Sequence, residues 1–283
     1  MFYTRTTQRQ GSVEDQVRRR ANGAPSLLLT VLGEFVLPAG RPVWTAALVR
    51  ALAEVGVEEK SARQALARTA DEGILAPDRA GRRVRWSLTG SGRTLLTEGA
   101  ARIYGFTAGM PDWDGRWLIL SVTVPERERQ LRHRLRTRLT WAGLGTPTPG
   151  LWIGPDTTKQ PEVAAIIAEL GLRDSAFSYV GRAGDIGDMR RIVAQAWDLD
   201  EVARRYRGFL ARFASPARNG AFPRQVRLVQ EWRHFPFLDP SLPHELLPKR
   251  WPGTRAADLF HRRRAAWHAA AQAHWSSLTN DDA

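Results

Sequence analysis

From Ser26 onward the apolar residues Leu28, Val31, Leu32, Phe35 and Val36 recur at intervals of three and four, the period of an amphipathic helix. Gly33 lies inside this run and weakens it. A second helix is predicted after Thr45, whose hydroxyl suits an N-cap, with Leu48, Leu52 and Val55 on one face and Gly56 as its stop. A third covers about Glu58 to Glu72 and closes at Gly73. Its start has two readings: Glu58 and Glu59 suit the positive end of a helix dipole, and Ser61-x-x-Gln64 has capping-box spacing. Ile74, Leu75 and Ala76 then lead into a turn, Pro77-Asp78-Arg79-Ala80-Gly81. The return strand alternates Val84, Trp86 and Leu88 with Arg83, Arg85 and Ser87. Thr89 can cap a further helix carrying Leu95, Leu96 and Ile103.

After a turn at Asp112-Trp113-Asp114-Gly115 the pattern alternates between strand and helix. Strands are predicted at Arg116 to Val124, Leu151 to Ile153 and Phe177 to Val180. Between them run a helix with Leu131, Leu135 and Leu139 and another opened by Pro161, with Val163, Ile166, Ile167 and Leu170. This suggests a ferredoxin-like α+β unit, with a flavodoxin-like fragment as the alternative. From Asp188 only helices are predicted. They carry Ile192, Val193 and Trp197, then Val202, Tyr206, Phe209, Leu210 and Phe213 behind the capping box Asp198-x-x-Glu201. A helix from Pro223 to Trp232, a turn-rich stretch from Phe235 to Pro243 and a long helix from about Thr254 to Ser277 follow. The fold class is therefore α+β and multidomain. Its parts are a polar basic arm (1–23, with Arg18-Arg19-Arg20), a winged helix-turn-helix domain (24–107), a ferredoxin-like middle domain (108–186) and an all-helical C-terminal domain (187–283).

A length of 283 residues suits two or three cores. The absence of cysteine excludes disulfides and thiolate metal sites and fits a reducing cytoplasm. No apolar run reaches the length of a membrane span and no apolar segment near the start marks a signal peptide, so a soluble cytoplasmic protein with no membrane partner is expected. The formal charge of +13 favours a polyanionic partner. It does not locate the contact. Residues 1–105 carry 16 Lys+Arg against 10 Asp+Glu, residues 106–185 carry 10 against 9, and residues 186–283 carry 16 against 10.

Helix, turn, helix and a basic hairpin are the parts of a winged helix-turn-helix, which makes the helix from Glu58 to Glu72 the recognition helix. At 100° per residue Ala62, Ala65, Leu66, Thr69 and Ala70 gather on its core side. Lys60, Gln64, Ala67 and Asp71 face away, flanked by Arg63 and Arg68. Lys60, Arg63, Gln64 and Arg68 can hydrogen-bond base edges in a major groove, and Arg79, Arg82, Arg83 and Arg85 of the wing can reach phosphates or the minor groove. The bland alternative is a solvated, arginine-dotted face.

Several stretches resemble the PaaX family of bacterial repressors of phenylacetate catabolism. They are Arg41-Pro-Val-Trp-Thr45, Ser61-Ala-Arg-Gln-Ala-Leu-Ala-Arg-Thr69, Gly73-Ile-Leu75 and Gly81-Arg-Arg-Val-Arg-Trp-Ser-Leu-Thr89. The most specific is Trp232-Arg-His-Phe-Pro-Phe-Leu-Asp-Pro-Ser-Leu-Pro243, continued by Glu245-Leu-Leu-Pro248 and Trp251-Pro-Gly253. Thr69 departs from the leucine frequent in the family. The resemblance spans about residues 25 to 275 and implies a homodimeric repressor of a phenylacetate-like catabolic operon. The resemblance further implies that it binds double-stranded operator DNA and is released by an acyl-CoA effector such as phenylacetyl-CoA. Chemistry nominates Trp197, Tyr206, Arg233 and Phe235 for that effector, because an aromatic acyl thioester needs stacking surface and its phosphates need arginine.

An enzyme finds little support. Gly181-x-x-Gly184-x-x-Gly187 has the wrong spacing for a dinucleotide fingerprint, Gly90-Ser91-Gly92 is not a nucleophile elbow, and the six histidines show no metal-ligand spacing, so no catalytic residue, metal or cofactor is assigned. The enzymatic alternative is a metal-dependent nuclease on the middle domain. Against it, the first strand of that domain carries no carboxylate, and Glu126 only follows Pro125. Arg127, Arg129, Arg132, Arg134, Arg136 and Arg138 on the next helix form either a solvated face or a second DNA surface.

Overall fold

A computed structural model describes residues 23–107, 113–215 and 220–280. The polar arm, with Arg18 to Arg20, and Asp112 of the turn lie outside the described residues. The protein is mixed α+β, predominantly helical, with two small antiparallel sheets. Packing divides it into two compact units that do not follow chain order.

Among the described residues the first unit comprises 23–105, 215, 220–233 and 260–280. Helix α1 (Ala24–Val31) starts with Pro at its N-terminal turn and runs into a π turn (Leu32–Val36) and a last turn, Leu37–Ala39. After β1 (Val43–Trp44) come α2 (Thr45–Glu54) and α3 (Glu59–Asp71). Thr45 is not a cap. It is the first helical residue, and its hydroxyl donates to the Val84 carbonyl (2.8 Å) and accepts from the Trp86 indole (2.9 Å). Ser61 lies within α3, so the capping-box reading gives way to the start at Glu58 and Glu59. The hairpin is longer than expected: β2 (Leu75–Ala80) pairs through Pro77 and Asp78 with β3 (Arg83–Leu88). Its turn is the pair Gly81-Arg82, where glycine meets the left-handed φ of +62° without a Cβ penalty. β1 joins the other side of β3. Thr89 caps α4 (Gly90–Gly105), accepting from the Gly92 amide at 2.9 Å.

Two later helices complete this unit. These are α9 (Ala221–Trp232) and the part of α11 (Pro252–Asn280) from Phe260 onward. Phe222 and Trp275 enter the same core as Phe35, Leu28, Leu48 and Leu66, and the Phe35 ring lies 4.8 Å from that of Phe222 and 5.6 Å from that of Trp275. Glu34, in the π turn, is 2% exposed. It accepts from the Arg264 guanidinium (3.0 Å), from Gln225 (2.7 Å) and from the Tyr104 hydroxyl. Desolvation first, and then the Glu34 charge, hold the Tyr104 hydroxyl far above its ordinary pKa. Gln272 donates to the Glu34 carbonyl at 3.3 Å, in the stretch where the π turn departs from the α-helical ladder.

Among the described residues the second unit comprises 106–107, 113–214 and 234–259. Its sheet is built from β4 (Arg116–Val122), β5 (Gly145–Thr148), β6 (Leu151–Gly154) and β7 (Ala176–Arg182) in the order β5-β6-β4-β7. Helices α5 (Arg129–Trp141) and α6 (Gln160–Glu169) give the chain order β-α-β-β-α-β. Leu118, Leu120 and Val122 of the sheet pack with Leu135, Leu139, Val163 and Ile167. The sequence pattern had not indicated β5, because Gly145-Thr-Pro-Thr148 is short and rich in turn formers. Helices α7 (Met189–Ala196), α8 (Leu199–Phe213) and the short α10 (Phe235–Leu238) complete the unit, and Asp198 caps α8 through the Glu201 amide. The stretch from Phe235 to Pro243 is thus partly helical.

Glu34→Ala is expected to destabilise the first unit by about 3 kcal/mol, because it strands a half-buried guanidinium. Urea denaturation of the full chain measures this, with Glu34→Gln costing less.

Candidate nucleic-acid interface

The turn between α2 and α3 is set by Gly56, at φ +88°, and by Val57, whose amide donates to the Leu52 carbonyl. Ala62, Ala65, Leu66 and Thr69 of α3 are buried, and the two alanines allow α1 to approach closely. Thr69 satisfies its hydroxyl within the helix, donating to the Ala65 carbonyl at 2.7 Å, which is how a polar side chain sits in this core. Lys60, Arg63, Gln64, Ala67 and Arg68 are exposed on the other side. Glu59, Lys60, Arg63, Gln64 and Ala67 line a shallow hollow. The Arg63 guanidinium donates to Glu59 at 2.8 Å and that of Arg68 to Glu72 at 3.3 Å, both one helical turn away. Exposed pairs of this kind contribute a few tenths of a kcal/mol. A polyanion can outcompete them.

The hairpin arginines are held differently from one another. Arg79 and Arg82 are exposed near the turn. Arg85 donates to Asp78 at 2.6 Å, its registered partner across the hairpin. Arg83 stands over the Trp44 ring with its guanidinium carbon 4.5 Å from the centroid, and that of Arg85 lies at 6.0 Å. Trp44 itself was not singled out as functional in the sequence. Its place in β1 opposite Arg85 is a pairing across 41 residues of chain that no local pattern reveals.

The four residues nominated for an effector fall in both units, three in the second and Arg233 in the first. Tyr206 and Phe235 are stacked face to face at 4.1 Å in the core of the second unit, 0% and 4% exposed. The Tyr206 hydroxyl donates to Asp239 at 2.6 Å. Trp197 packs beside Trp117 and against Gly145, where a Cβ would come within 2.4 Å of the indole. Arg233 belongs to the first unit and donates to the Ser26 carbonyl (3.1 Å) and the Thr30 hydroxyl (3.2 Å). Chemical type alone nominated them, and the two aromatic residues of the stack are buried in the core of the second unit. Clusters of His, Asp or Glu able to hold a metal ion are absent among the described residues, as are helices long and apolar enough to cross a membrane.

Three family models match the chain in succession: PaaX-like protein over residues 23–92, PaaX protein central Cas2-like domain over 110–193, and PaaX-like protein C-terminal domain over 197–277. The chain belongs to the PaaX family. It is 29% identical over 263 residues to the Transcriptional repressor PaaX of Escherichia coli (strain K12), a match covering 86% of this chain and 81% of that protein. Among solved structures it is similar in fold to the uncharacterized protein Rv0674 from Mycobacterium tuberculosis, with a TM-score of 0.58, 24% identity and coverage of 86% and 96%.

Asp239 supplies a pH signature for the second unit. Burial raises its carboxyl above the ordinary 3.8, against the lowering effect of the Tyr206 hydroxyl and the Ser241 amide. A raised folded-state value favours the protonated form. The stability this group adds is therefore complete below its unfolded value and lost as pH rises through its folded one. Asp239→Asn is expected to flatten that acid-to-neutral fall in thermal unfolding, and an unchanged slope would assign the fall to other groups.

Proposed function

We propose that this chain is a DNA-binding transcriptional repressor of the PaaX type and acts without enzymatic chemistry. In this reading residues 24–107 are a winged helix-turn-helix domain, α3 is its recognition helix and the β2–β3 hairpin is its wing. The observation that carries it is the exposed face of Lys60, Arg63, Gln64 and Arg68 on a helix whose opposite face is buried, in the same unit as a hairpin bearing Arg79, Arg82, Arg83 and Arg85. A side chain such as Arg63 then reads a base edge, while the wing neutralises phosphates. The similarity to a protein named as a transcriptional repressor supports the same reading.

The second unit is read as ferredoxin-like, supported by its β-α-β-β-α-β order and by the strand order β5-β6-β4-β7. Two copies of the chain would place their recognition helices in half-sites about 34–36 Å apart, or a multiple of that. The edge strand β7, with Phe177 and Tyr179 exposed on one face, supports self-association. An acyl-CoA such as phenylacetyl-CoA is the proposed releasing ligand, at a site not built from the Tyr206–Phe235 stack.

Gel retardation with DNA from upstream of the protein's own and neighbouring genes tests this reading. A retarded band that phenylacetyl-CoA dissolves is the expected result. Cleavage on adding magnesium or manganese would instead favour a nuclease. Arg63→Ala should cost about 1–3 kcal/mol on the retarded fragment and leave random DNA little affected. Equal losses on both would show that Arg63 touches phosphate alone.

A further inference from the structure

On α3 and α8 arginines are paired with glutamates one turn away, Arg63 with Glu59, Arg68 with Glu72, and Arg204 and Arg205 with Glu201. Helix α5 of the second unit is built differently. It carries five arginines and no acidic residue. Two of them are engaged at the border with the core: Arg132 donates to the Glu126 carbonyl at 2.7 Å, and Arg138 pairs with Glu169 at 2.6 Å. Arg129, Arg134 and Arg136 are exposed and have no carboxylate partner among the described residues. Their charges even oppose the helix. Arg134 stands four residues from Arg138 and Arg136 four from Arg132, the spacing at which like charges repel. Arg129 lies in the first turn, at the positive end of the dipole. A face kept for solubility alone is served by alternating signs, without that repulsion.

The same face ends on an aromatic ring. At 100° per residue Arg129 and Arg136 fall along one side of the exposed surface, and Arg134 and Trp141 along the other, over a length of about 20 Å. Gln130, His133, Thr137 and Thr140 lie between them. Trp141 is 64% exposed, with its ring 6.4 Å from that of Phe237. An anionic lipid surface calls for an apolar stripe, and the residues between the arginines are polar. Duplex DNA keeps its base faces stacked inside and offers none to an indole. An unpaired strand supplies both what the cations attract and what the ring can stack.

We propose that α5 is a binding surface for single-stranded nucleic acid, in which Arg129, Arg134 and Arg136 hold backbone phosphates and Trp141 stacks an unpaired base. The site belongs to the second unit and stands apart from the α3 reading, whose ligand is a duplex.

Fluorescence anisotropy on the full chain tests this, with labelled pyrimidine oligonucleotides of about 12 nucleotides, as DNA and as RNA, across a salt series. Binding of either is expected, and the tighter one identifies the sugar. Arg134→Gln and Arg136→Gln should each weaken binding and lower the slope of log affinity against log salt by about 0.7, the counterion share of one lost phosphate contact on a single strand. Trp141→Ala should weaken binding roughly 5- to 100-fold with the slope unchanged, because a stacked base carries no counterion, and Trp141→Phe should recover part of the loss. The arginine variants remove like-charge neighbours and should melt no earlier than the wild type. Their slopes decide the matter if the Trp141 variants unfold. A wild-type chain that binds neither oligonucleotide overturns the proposal and leaves the duplex reading untouched. Oligonucleotide binding that Arg63→Ala abolishes and the α5 variants keep would place the strand on α3 and overturn it too. Slopes unmoved by the arginine changes, or affinity unmoved by Trp141→Ala, would reduce α5 to a solvated face. Loss of upstream-duplex retardation alone, with oligonucleotide binding intact, counts against the α3 reading and supports this one.

Discussion

One buried carboxylate organises the first unit. Glu34 sits in the π turn after α1, removed from water, and its charge is tolerable only because Arg264, Gln225 and Tyr104 all donate to it. Those donors come from α11, α9 and α4, so a single side chain specifies how three helices meet a fourth. Apolar packing of Phe35, Phe222 and Trp275 provides the bulk attraction beside it but little direction. The carboxylate and its donors fix the register. An apolar replacement of similar volume could equal it in stability and would give up that selectivity.

This arrangement ties the basic helix and hairpin to distant parts of the chain. The helices that would face DNA rest on helices made much later in the chain, and α11 contributes its first turns to one unit and its remainder to the other. The terminal turns of α11 also meet α2, where the Arg50 guanidinium donates to the Leu278 carbonyl at 2.6 Å and His274 pairs with Glu54. The cation at the negative end of the α11 dipole is well placed electrostatically. α2, which precedes α3, is thus fastened to a helix that contributes to both units.

Local patterns made much of this legible. The three- and four-residue spacing gave α1, α2 and α3, and the buried set Ala62, Ala65, Leu66 and Thr69 matches the face assigned by helical geometry. Alternation gave β3, and Asp198 and Thr89 proved to be caps. What failed depended on partners distant in sequence. Thr45 looked like a cap, but β3 claims its hydroxyl. Pro77 looked like a turn residue, yet it tolerates a strand whose outer edge makes no ladder. For the candidate interface, the exposed basic residues of α3 could be read from periodicity, whereas the Trp44 ring beneath Arg83 could not. Glu34 did leave a trace, as a lone acid in the apolar run Val31 to Val36, but its meaning required Arg264, 230 residues away. Tyr206 and Phe235, nominated by chemistry suited to a ligand, are stacked on each other and buried in the second unit.

The shared core has a consequence for synthesis. The ribosome delivers the segment with the basic helix and hairpin first, yet Phe222 and Trp275, which close the core behind it, emerge near the end. A nascent chain holding every basic residue of α3 and the hairpin still lacks the partners of Phe35 and the cation that matches Glu34. Prematurely terminated products would therefore carry the basic surface on an unfinished support, open to proteolysis. Translation has to run through α11 before the earliest-made part of the molecule can settle.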